Sequence, residues 1–165
     1  MLRYAVEKVR GPVALRYPKG GEGEFTALCG IEGASVIRPG TDVTIAAYGV
    51  MINEALAAAR LLEEKGTSAQ VVKLNSISPL DVDAVVACAQ KTGALVVAEE
   101  CVDAGCVGRR LAAELALRGV GGVKLALVNL GDRFVQHGTV AELRQLCGID
   151  GESIARRALE VAERG

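Results

Sequence analysis

Short apolar runs of strand length alternate with longer segments of helical period along most of the chain. The predicted strands lie at 35–37, 43–47, 69–74, 95–98 and 124–128, and the predicted helices at 51–65, 82–92, 107–118, 140–147 and 153–164. Strands separated by helices need crossover connections, which place helices on both faces of a parallel sheet. The pattern therefore predicts an α/β fold, a three-layer α/β/α sandwich of about five mostly parallel strands.

The first two predicted strands are separated only by a short turn at Pro39-Gly40. Strands this close in sequence usually pair, so we predict a hairpin between 35–37 and 43–47. The sheet should therefore contain one antiparallel edge strand.

Several helix ends are marked in the sequence. Gly66 and Gly93 follow the first two long helices and can adopt the left-handed conformation that ends a helix. Thr139 and Glu142 have the spacing of a capping box, and Asp150 is expected to cap the last helix.

The first 32 residues lack the content of a domain. A helical pattern over 2–9 ends at Gly11-Pro12, and a strand is predicted over 13–17. One helix and one strand cannot bury their apolar faces alone. We therefore predict that residues 1–32 are the end of a preceding domain plus a linker, and that residues 33–165 form the main domain.

Composition narrows the class of partner. Half of the 165 residues are hydrophobic but only 3% are aromatic, which suits buried strands covered by alanine-rich helices. Nineteen basic and twenty acidic side chains give a net charge of -1. This balance offers no electrostatic basis for binding nucleic acid or an anionic membrane, so we expect neither partner.

The cysteines and the start of the chain indicate the compartment. The five cysteines form no C-x-x-C pair and are expected to be reduced, mostly buried thiols. The first ten residues carry four charged side chains and no apolar run of signal-peptide length. We therefore expect a cytoplasmic protein without a membrane span.

Residues that follow the strands are the first candidates for chemistry, because ligands of open α/β sheets bind beyond the carboxyl ends of the strands. Glu99-Glu100 is the carboxylate pair at such a position and could act as acid and base or hold a cation. The alternative is that one glutamate caps a helix or meets a partner chain while the other is solvated. The alternative is favoured because no second polar group accompanies the pair at a fixed spacing.

Two further features could bind a ligand. Gly105-x-x-Gly108 opens a helix whose free N–H groups could hold an anion, but it lacks the dinucleotide and P-loop spacings. Close packing of that helix on the sheet explains the glycines better. His137 is the single histidine and has no second ligand at metal-binding spacing, which favours a structural or interface role.

The densest polar cluster ends the strand predicted over 13–17. Arg16-Tyr17-Pro18-Lys19-Gly20 would present a guanidinium or an ammonium group at a domain edge, where either could bind a phosphate. Solvated surface charges explain the same residues equally well. The residues alone leave both possibilities open.

Five segments, read in order, carry a family resemblance. They are G-P-V-A-L-R-Y-P-K-G at 11–20, G-T-D-V-T-I-A-A-Y-G at 40–49, S-P-L-D at 78–81, V-V-A-E-E at 96–100 and D-R-F-V-Q-H-G at 132–138, with G-I-D following at 148–150. Together they resemble the carboxy-terminal part of the transketolase superfamily. The last segments are most similar to the 1-deoxy-D-xylulose-5-phosphate synthases.

The resemblance implies a thiamine-diphosphate enzyme that decarboxylates pyruvate and condenses the product with glyceraldehyde 3-phosphate, for isoprenoid, thiamine and pyridoxal synthesis. It also implies a magnesium-dependent homodimer with diphosphate-binding, pyrimidine-binding and carboxy-terminal domains. Residues 1–32 would then end the pyrimidine-binding domain, and 33–165 would be the carboxy-terminal domain. The family's metal motif and activating glutamate lie upstream, so no catalytic residue, thiamine diphosphate or magnesium is expected on this chain.

One site of the family carries over. The arginine that the family uses for the substrate phosphate matches Lys19, and the first arginine of the same stretch matches Arg16. A lysine replaces a two-pronged contact by a point charge. These two residues are the predicted substrate-phosphate site.

The resemblance predicts a domain that stabilises the dimer, completes the substrate rim and is inactive without its amino-terminal domains, which are its partner. One alternative is a β subunit of a transketolase or 2-oxoacid dehydrogenase acting with a separate chain. Another is a non-enzymatic ligand-binding module. That module predicts a glycine-rich first β–α turn, whereas this chain has Tyr48-Gly49-Val50-Met51 there.

Overall fold

The computed structural model describes residues 2–15, 17, 18, 20, 21, 23–27 and 29–163. Its strands are β1 (Ala34–Arg38), β2 (Val43–Ala47), β3 (Ala69–Leu74), β4 (Ala94–Ala98) and β5 (Lys124–Val128). Its helices are α1 (Leu2–Lys8), α2 (Met51–Glu64), α3 (Val82–Thr92), α4 (Val107–Leu117), α5 (Val140–Cys147) and α6 (Gly151–Glu163). From β1 onward, these bounds agree with the predicted strands and helices to within two residues at each end.

All five strands form one sheet in the order β1-β3-β2-β4-β5. Strands β2 to β5 all run parallel to one another, whereas the edge strand β1 pairs antiparallel with β3. The prediction of a mostly parallel sheet with one antiparallel edge strand is confirmed. Every residue of the central strand β2 is buried, as expected for a parallel strand covered on both faces.

The predicted hairpin is wrong, because β3 lies between β1 and β2. The connection between β1 and β2 passes across the start of β3, where the amides of Thr41 and Asp42 both donate to the Ser68 carbonyl. Gly40 permits this crossing, since a β-carbon there would lie 2.2 Å from the Ala69 backbone. Even a short connection can span two strand spacings of about 4.8 Å each, so proximity in sequence did not require pairing.

Apolar side chains fill both faces of the sheet. Helices α2 and α6 cover one face, where Val43, Ile45 and Ala47 of β2 are inaccessible to solvent. Helices α3 and α4 cover the opposite face, against Ala46 and Val97. The predicted three-layer α/β/α sandwich is therefore confirmed.

Helix ends follow the sequence signals with one exception. Thr139 and Glu142 form the predicted capping box of α5, and Gly93 ends α3 in the left-handed conformation. Asp150 directly precedes α6 and its carbonyl accepts from the Ile154 amide at 3.0 Å, but its Oδ1 has no hydrogen-bond partner among the described residues, so this oxygen makes no side-chain cap. The Gly151 amide at the start of α6 donates instead to Glu54 Oε2 on α2, at 2.9 Å.

The segment before β1 has a different character. No residue of α1 is buried. The strand predicted over 13–17 is wrong for residues 13–15 and 17, which lie in no strand, whereas Arg16 lies outside the described residues. Further on, Phe25 packs against the core beside α2, and its amide donates to Asn53 Oδ1 at 3.0 Å. The domain boundary after residue 32 stays a prediction.

Candidate functional site at the carboxyl edge of the sheet

The parallel strands β2 to β5 end at one edge of the sheet, as the prediction for ligand sites required. Tyr48 and Glu99, which follow β2 and β4, are in contact through a hydrogen bond from the Tyr48 hydroxyl to Glu99 Oε1 at 3.2 Å. Asn75, after β3, lies on the far side and donates to Ser35 Oγ at 2.8 Å. The polar residues at the carboxyl ends of the strands therefore form separate groups rather than one cluster.

Glu99 is fully buried, with a relative exposure of 0%. Its two carboxylate oxygens accept hydrogen bonds from the backbone amides of Val107 and Gly108, each at 2.8 Å. These are the free amides at the start of α4, where the helix dipole also favours a negative charge. The alternative that one glutamate of the pair caps a helix is therefore confirmed for Glu99.

Gly108 explains how the carboxylate reaches the helix. A β-carbon at this position would lie 2.5 Å from Leu127 Cδ2 and 3.0 Å from Glu99 Oε2. The glycine therefore lets α4 approach the sheet closely, as the sequence interpretation favoured. The amides that could have held an external anion are already bound to Glu99.

The side chains around Glu99 keep their protons. Burial, followed by the negative charge of Glu99, raises the pKa of the Cys101 thiol to about 11. The same two causes raise the pKa of the Tyr48 hydroxyl above its ordinary value. Both groups can therefore donate to the Glu99 carboxylate at neutral pH, and the Cys101 thiol is a poor nucleophile there.

A second polar network lies in the loops after β4 and β5. The Arg109 Nε donates to Asp103 Oδ2 at 2.8 Å, and the Asn129 amide donates to Asp103 Oδ1 at 2.9 Å. The hydrogen bond from Arg109, followed by that from Asn129, lowers the pKa of the Asp103 carboxyl. Asp103 thus ties the start of α4 to the loop after β5.

The prediction that the cysteines are mostly buried is wrong. All five cysteines are free, but only Cys106 is buried and the other four are partly accessible. Burial raises the pKa of the Cys106 thiol, and its sulfur accepts from the Arg109 amide at 3.4 Å. Cys106 is therefore a weak side-chain cap of α4, in addition to Glu99.

Glu100, the second member of the pair, contacts a different element. Its Oε2 accepts from Arg144 of α5 at 2.9 Å, and Arg144 also binds Glu54 of α2 at 3.0 Å. The Glu100 side chain is 45% exposed, so it is a partly solvated ion-pair partner. The two adjacent glutamates thus contact different residues and do not act as a pair.

The segment Asp132 to Thr139 is exposed at every residue. Phe134, its aromatic residue, has a relative exposure of 104%. His137 has no hydrogen-bond or ion-pair partner within the described part of the chain. Exposure fits the interface role better than the structural one, but that role stays a prediction.

The structure does not describe the two residues of the predicted phosphate site. Arg16 and Lys19 both lie outside the described residues. Tyr17, between them, is 80% exposed. The assignment of these two residues to a substrate phosphate remains a prediction from the resemblance.

A metal or cofactor site needs several converging ligands. Within the described ranges, no three His, Cys, Asp or Glu side chains are grouped so that they could hold a metal ion. In the same ranges, no helix has the length and apolar character needed to cross a bilayer.

Arg144 is the site residue that the sequence interpretation missed. Its partners Glu54 and Glu100 are 90 and 44 residues away in the chain. No local spacing connects such residues, so only the fold reveals the pairing. Asp103 and Arg109 are closer in sequence, at six residues apart. This is not the spacing of three or four residues that predicts an ion pair on a helix.

Comparison with known proteins identifies the family of this chain. A family model described as "Transketolase, C-terminal domain" matches residues 32–154. The 1-deoxy-D-xylulose-5-phosphate synthase of Heliobacterium modesticaldum is 41% identical over 99% of this chain and 26% of that protein. The synthase of Desulforudis audaxviator is 38% identical over 96% of this chain and 26% of that protein. The chain thus spans about a quarter of the length of these curated relatives.

Solved structures show the same fold. A protein titled "Split gene transketolase, inactive beta4 tetramer" matches with a TM-score of 0.71 and 32% identity, over 79% of this chain and 43% of that one. A transketolase from Leishmania mexicana matches with a TM-score of 0.61 and 22% identity, over 81% of this chain and 18% of that one. The latter likeness concerns the fold alone.

Proposed function

The chain belongs to the transketolase C-terminal domain family, and from this premise we propose that it is the carboxy-terminal domain of a 1-deoxy-D-xylulose-5-phosphate synthase. The observation that carries the proposal is the 41% identity to such a synthase over 99% of the chain. The split gene transketolase is less similar, at 32% identity over 79% of the chain. The substrates of the whole enzyme would be pyruvate and glyceraldehyde 3-phosphate.

In this proposal the chemistry takes place on other domains of the same enzyme. Thiamine diphosphate and magnesium would be held by the diphosphate- and pyrimidine-binding domains, in line with the family resemblance. The polar groups at the carboxyl edge serve the fold of this domain, since both oxygens of Glu99 are bound to the start of α4. The chain would thus contribute a rigid support and no reacting group.

Exposed apolar side chains support a docking role for Phe134 and for α5. Phe134 is fully exposed, and Val140 and Leu146 are 59% and 66% exposed. Large apolar side chains left exposed to solvent often mark contacts with other domains or chains. We assign this surface to contacts within the synthase homodimer, and the five free cysteines support a reducing, cytoplasmic location.

A chimera provides the test of function. This chain would replace the last quarter of the Heliobacterium modesticaldum synthase, and product formation from pyruvate and glyceraldehyde 3-phosphate would be measured with thiamine diphosphate and magnesium. We expect turnover by the chimera and none by this chain alone. A matched control carries the corresponding part of the split gene transketolase instead.

The proposal fails if the chimera folds, dimerises and binds thiamine diphosphate but forms no 1-deoxy-D-xylulose 5-phosphate. A β subunit acting with a separate chain would instead gain activity only when that partner chain is added. Transfer of a ketol group between sugar phosphates would point to a transketolase.

The same chimera tests the proposed phosphate role of Lys19, with Arg16 beside it. Lys19→Ala should raise KM for glyceraldehyde 3-phosphate about tenfold and leave KM for pyruvate unchanged, because one charged phosphate contact is lost. Lys19→Arg should retain the low KM, and Lys65→Ala, at the exposed end of α2, serves as the control. Equal kinetics in Lys19→Ala and Lys65→Ala would exclude the role.

A further inference from the structure

A cavity of about 430 Å³ lies beside the edge strand β5, between its carboxyl end and α6. Residues 127–131 line the cavity together with Arg133, Gly148, Ser153, Arg156 and Arg157. Because β5 is the last strand of the sheet, no further strand covers this side in the described residues. The cavity is separate from the polar groups between β2 and β4.

The side chains that line the cavity carry an excess of positive charge. Three arginines face it, and no acidic side chain is among the lining residues. Arg157 is neutralised by an ion pair with Glu160. The polar contact of Arg156 is with Ser153 Oγ at 3.4 Å, and Arg133 has no carboxylate partner within the described ranges.

Most arginines in the described part of the chain have a carboxylate partner. Nine arginines lie between residues 34 and 163, and six of them have a carboxylate partner among the described residues. Of the three that have none, Arg133 and Arg156 line this one cavity, and Arg110 lies on α4. Two guanidinium groups without a carboxylate partner thus line the same cavity, where their positive charge favours a bound anion.

The fold also presents a buried hydroxyl to the cavity. Ser153, Arg156 and Arg157 are spaced by three and four residues on α6, which puts them on one face of the helix. Ser153 is only 8% exposed, and its oxygen accepts from Arg156, which leaves the hydroxyl hydrogen available to donate. Gly131, with φ of 66°, turns the chain after β5, and Arg133 two residues later also lines the cavity.

We propose that this cavity binds a small phosphorylated anion. Guanidinium groups match a phosphate group with paired N–H donors, and a serine hydroxyl adds a further donor. The volume lies in the range of small-ligand sites. The site goes beyond the proposed function and does not depend on it, since every lining residue belongs to this chain.

Calorimetric titration of the full chain with inorganic pyrophosphate, in metal-free buffer at constant ionic strength, tests the site. We expect saturable binding of one pyrophosphate per chain. The double variant Arg133→Gln plus Arg156→Gln should weaken binding at least about tenfold, because it removes both unpaired guanidinium groups. Arg110→Gln, which removes an unpaired arginine elsewhere, should bind like the parent chain.

Amide chemical shifts recorded during the same titration locate the anion. Shifts centred on Gly131 and Ser153 support the proposal. Binding that is unaffected by the double variant, or that falls equally in Arg110→Gln, overturns it. Binding that is lost in Lys19→Gln but kept in the double variant would place the anion on the 16–19 segment and also overturn it.

Discussion

Two polar groups at the same end of the sheet differ in how far their hydrogen bonds are satisfied. Glu99, between β2 and β4, is fully buried and accepts from two helix amides and from the Tyr48 hydroxyl. Arg133 and Arg156, beside β5, are exposed and lack carboxylate partners in the described part of the chain. Glu99 was a candidate for chemistry in the sequence because it follows a strand, whereas Arg133 and Arg156 are brought to the same cavity only by the fold.

This difference separates charged side chains that stabilise the fold from those that are available to bind a ligand. A buried charge is tolerated when the protein supplies all its partners, and it then stabilises one arrangement of the elements. An accessible charge without a protein partner has to find water or a ligand. Burial and satisfaction of hydrogen bonds therefore separate structural from ligand-binding candidates better than residue type does.

Removing the Glu99 carboxylate should have the largest effect. Glu99→Ala leaves the amides of Val107 and Gly108 without a partner at a buried site, and we expect a loss of about 3–5 kcal/mol in the free energy of unfolding. Urea unfolding followed by circular dichroism measures it. The neighbouring Glu100→Ala, at a partly exposed ion pair, should lose less than about 1 kcal/mol. Similar losses in the two variants would break the comparison.

Crowding the same contact from the helix side should have the next largest effect. Gly108→Ala would place a β-carbon against Leu127 and Glu99. We expect a net loss of about 1–2 kcal/mol, since overpacking outweighs the gain in helix propensity. Gly121→Ala, where a β-carbon meets nothing within 4 Å, is the control and should change stability by less than about 0.5 kcal/mol.

The pH dependence of stability tests the environment around Glu99. The folded-state pKa of the Cys101 thiol is raised from 9.0 to about 11. Its contribution is therefore present below pH 9.0 and lost as the pH rises toward 11, because the unfolded chain releases the proton first. Urea unfolding should show falling stability across this window. Cys101→Ser should flatten the decline, and an unchanged slope would mean that partial burial and the Glu99 charge do not act on this thiol.

The smallest effect on stability is expected at the cavity beside β5. Arg133→Gln plus Arg156→Gln should change the free energy of unfolding by less than about 0.5 kcal/mol, since neither side chain is in an ion pair. Thermal unfolding of the parent and the double variant measures this. A loss comparable with that of Glu99→Ala would show that these arginines support the fold, and the contrast between the two groups would disappear.

The sequence was informative where the pattern is local. The apolar run of β2 and the helices that end at Gly66 and Gly93 were predicted because period and stop signals lie within a few residues. The capping box at Thr139 was predicted for the same reason. Alternation of strands and helices then sufficed for the three-layer architecture.

The errors arose where distant segments decide. The hairpin prediction was wrong because β3, which follows only after α2, takes the place between β1 and β2. The contact of the Gly151 amide with Glu54 was not predicted, because the two residues are 97 positions apart in the chain. Arg144 was missed for the same reason. Such contacts become visible only when the sheet order is known.

The account rests on the claim that the carboxyl edge between β2 and β4 supports the fold and takes no part in the chemistry. The most direct test is the synthase chimera with Glu99→Gln, assayed well below its unfolding temperature. We predict a lower Tm than for the parent chimera, with kcat and both KM values within about twofold, because the proposed function puts the reacting groups on other domains. A folded variant that has lost kcat while keeping its Tm would contradict the claim.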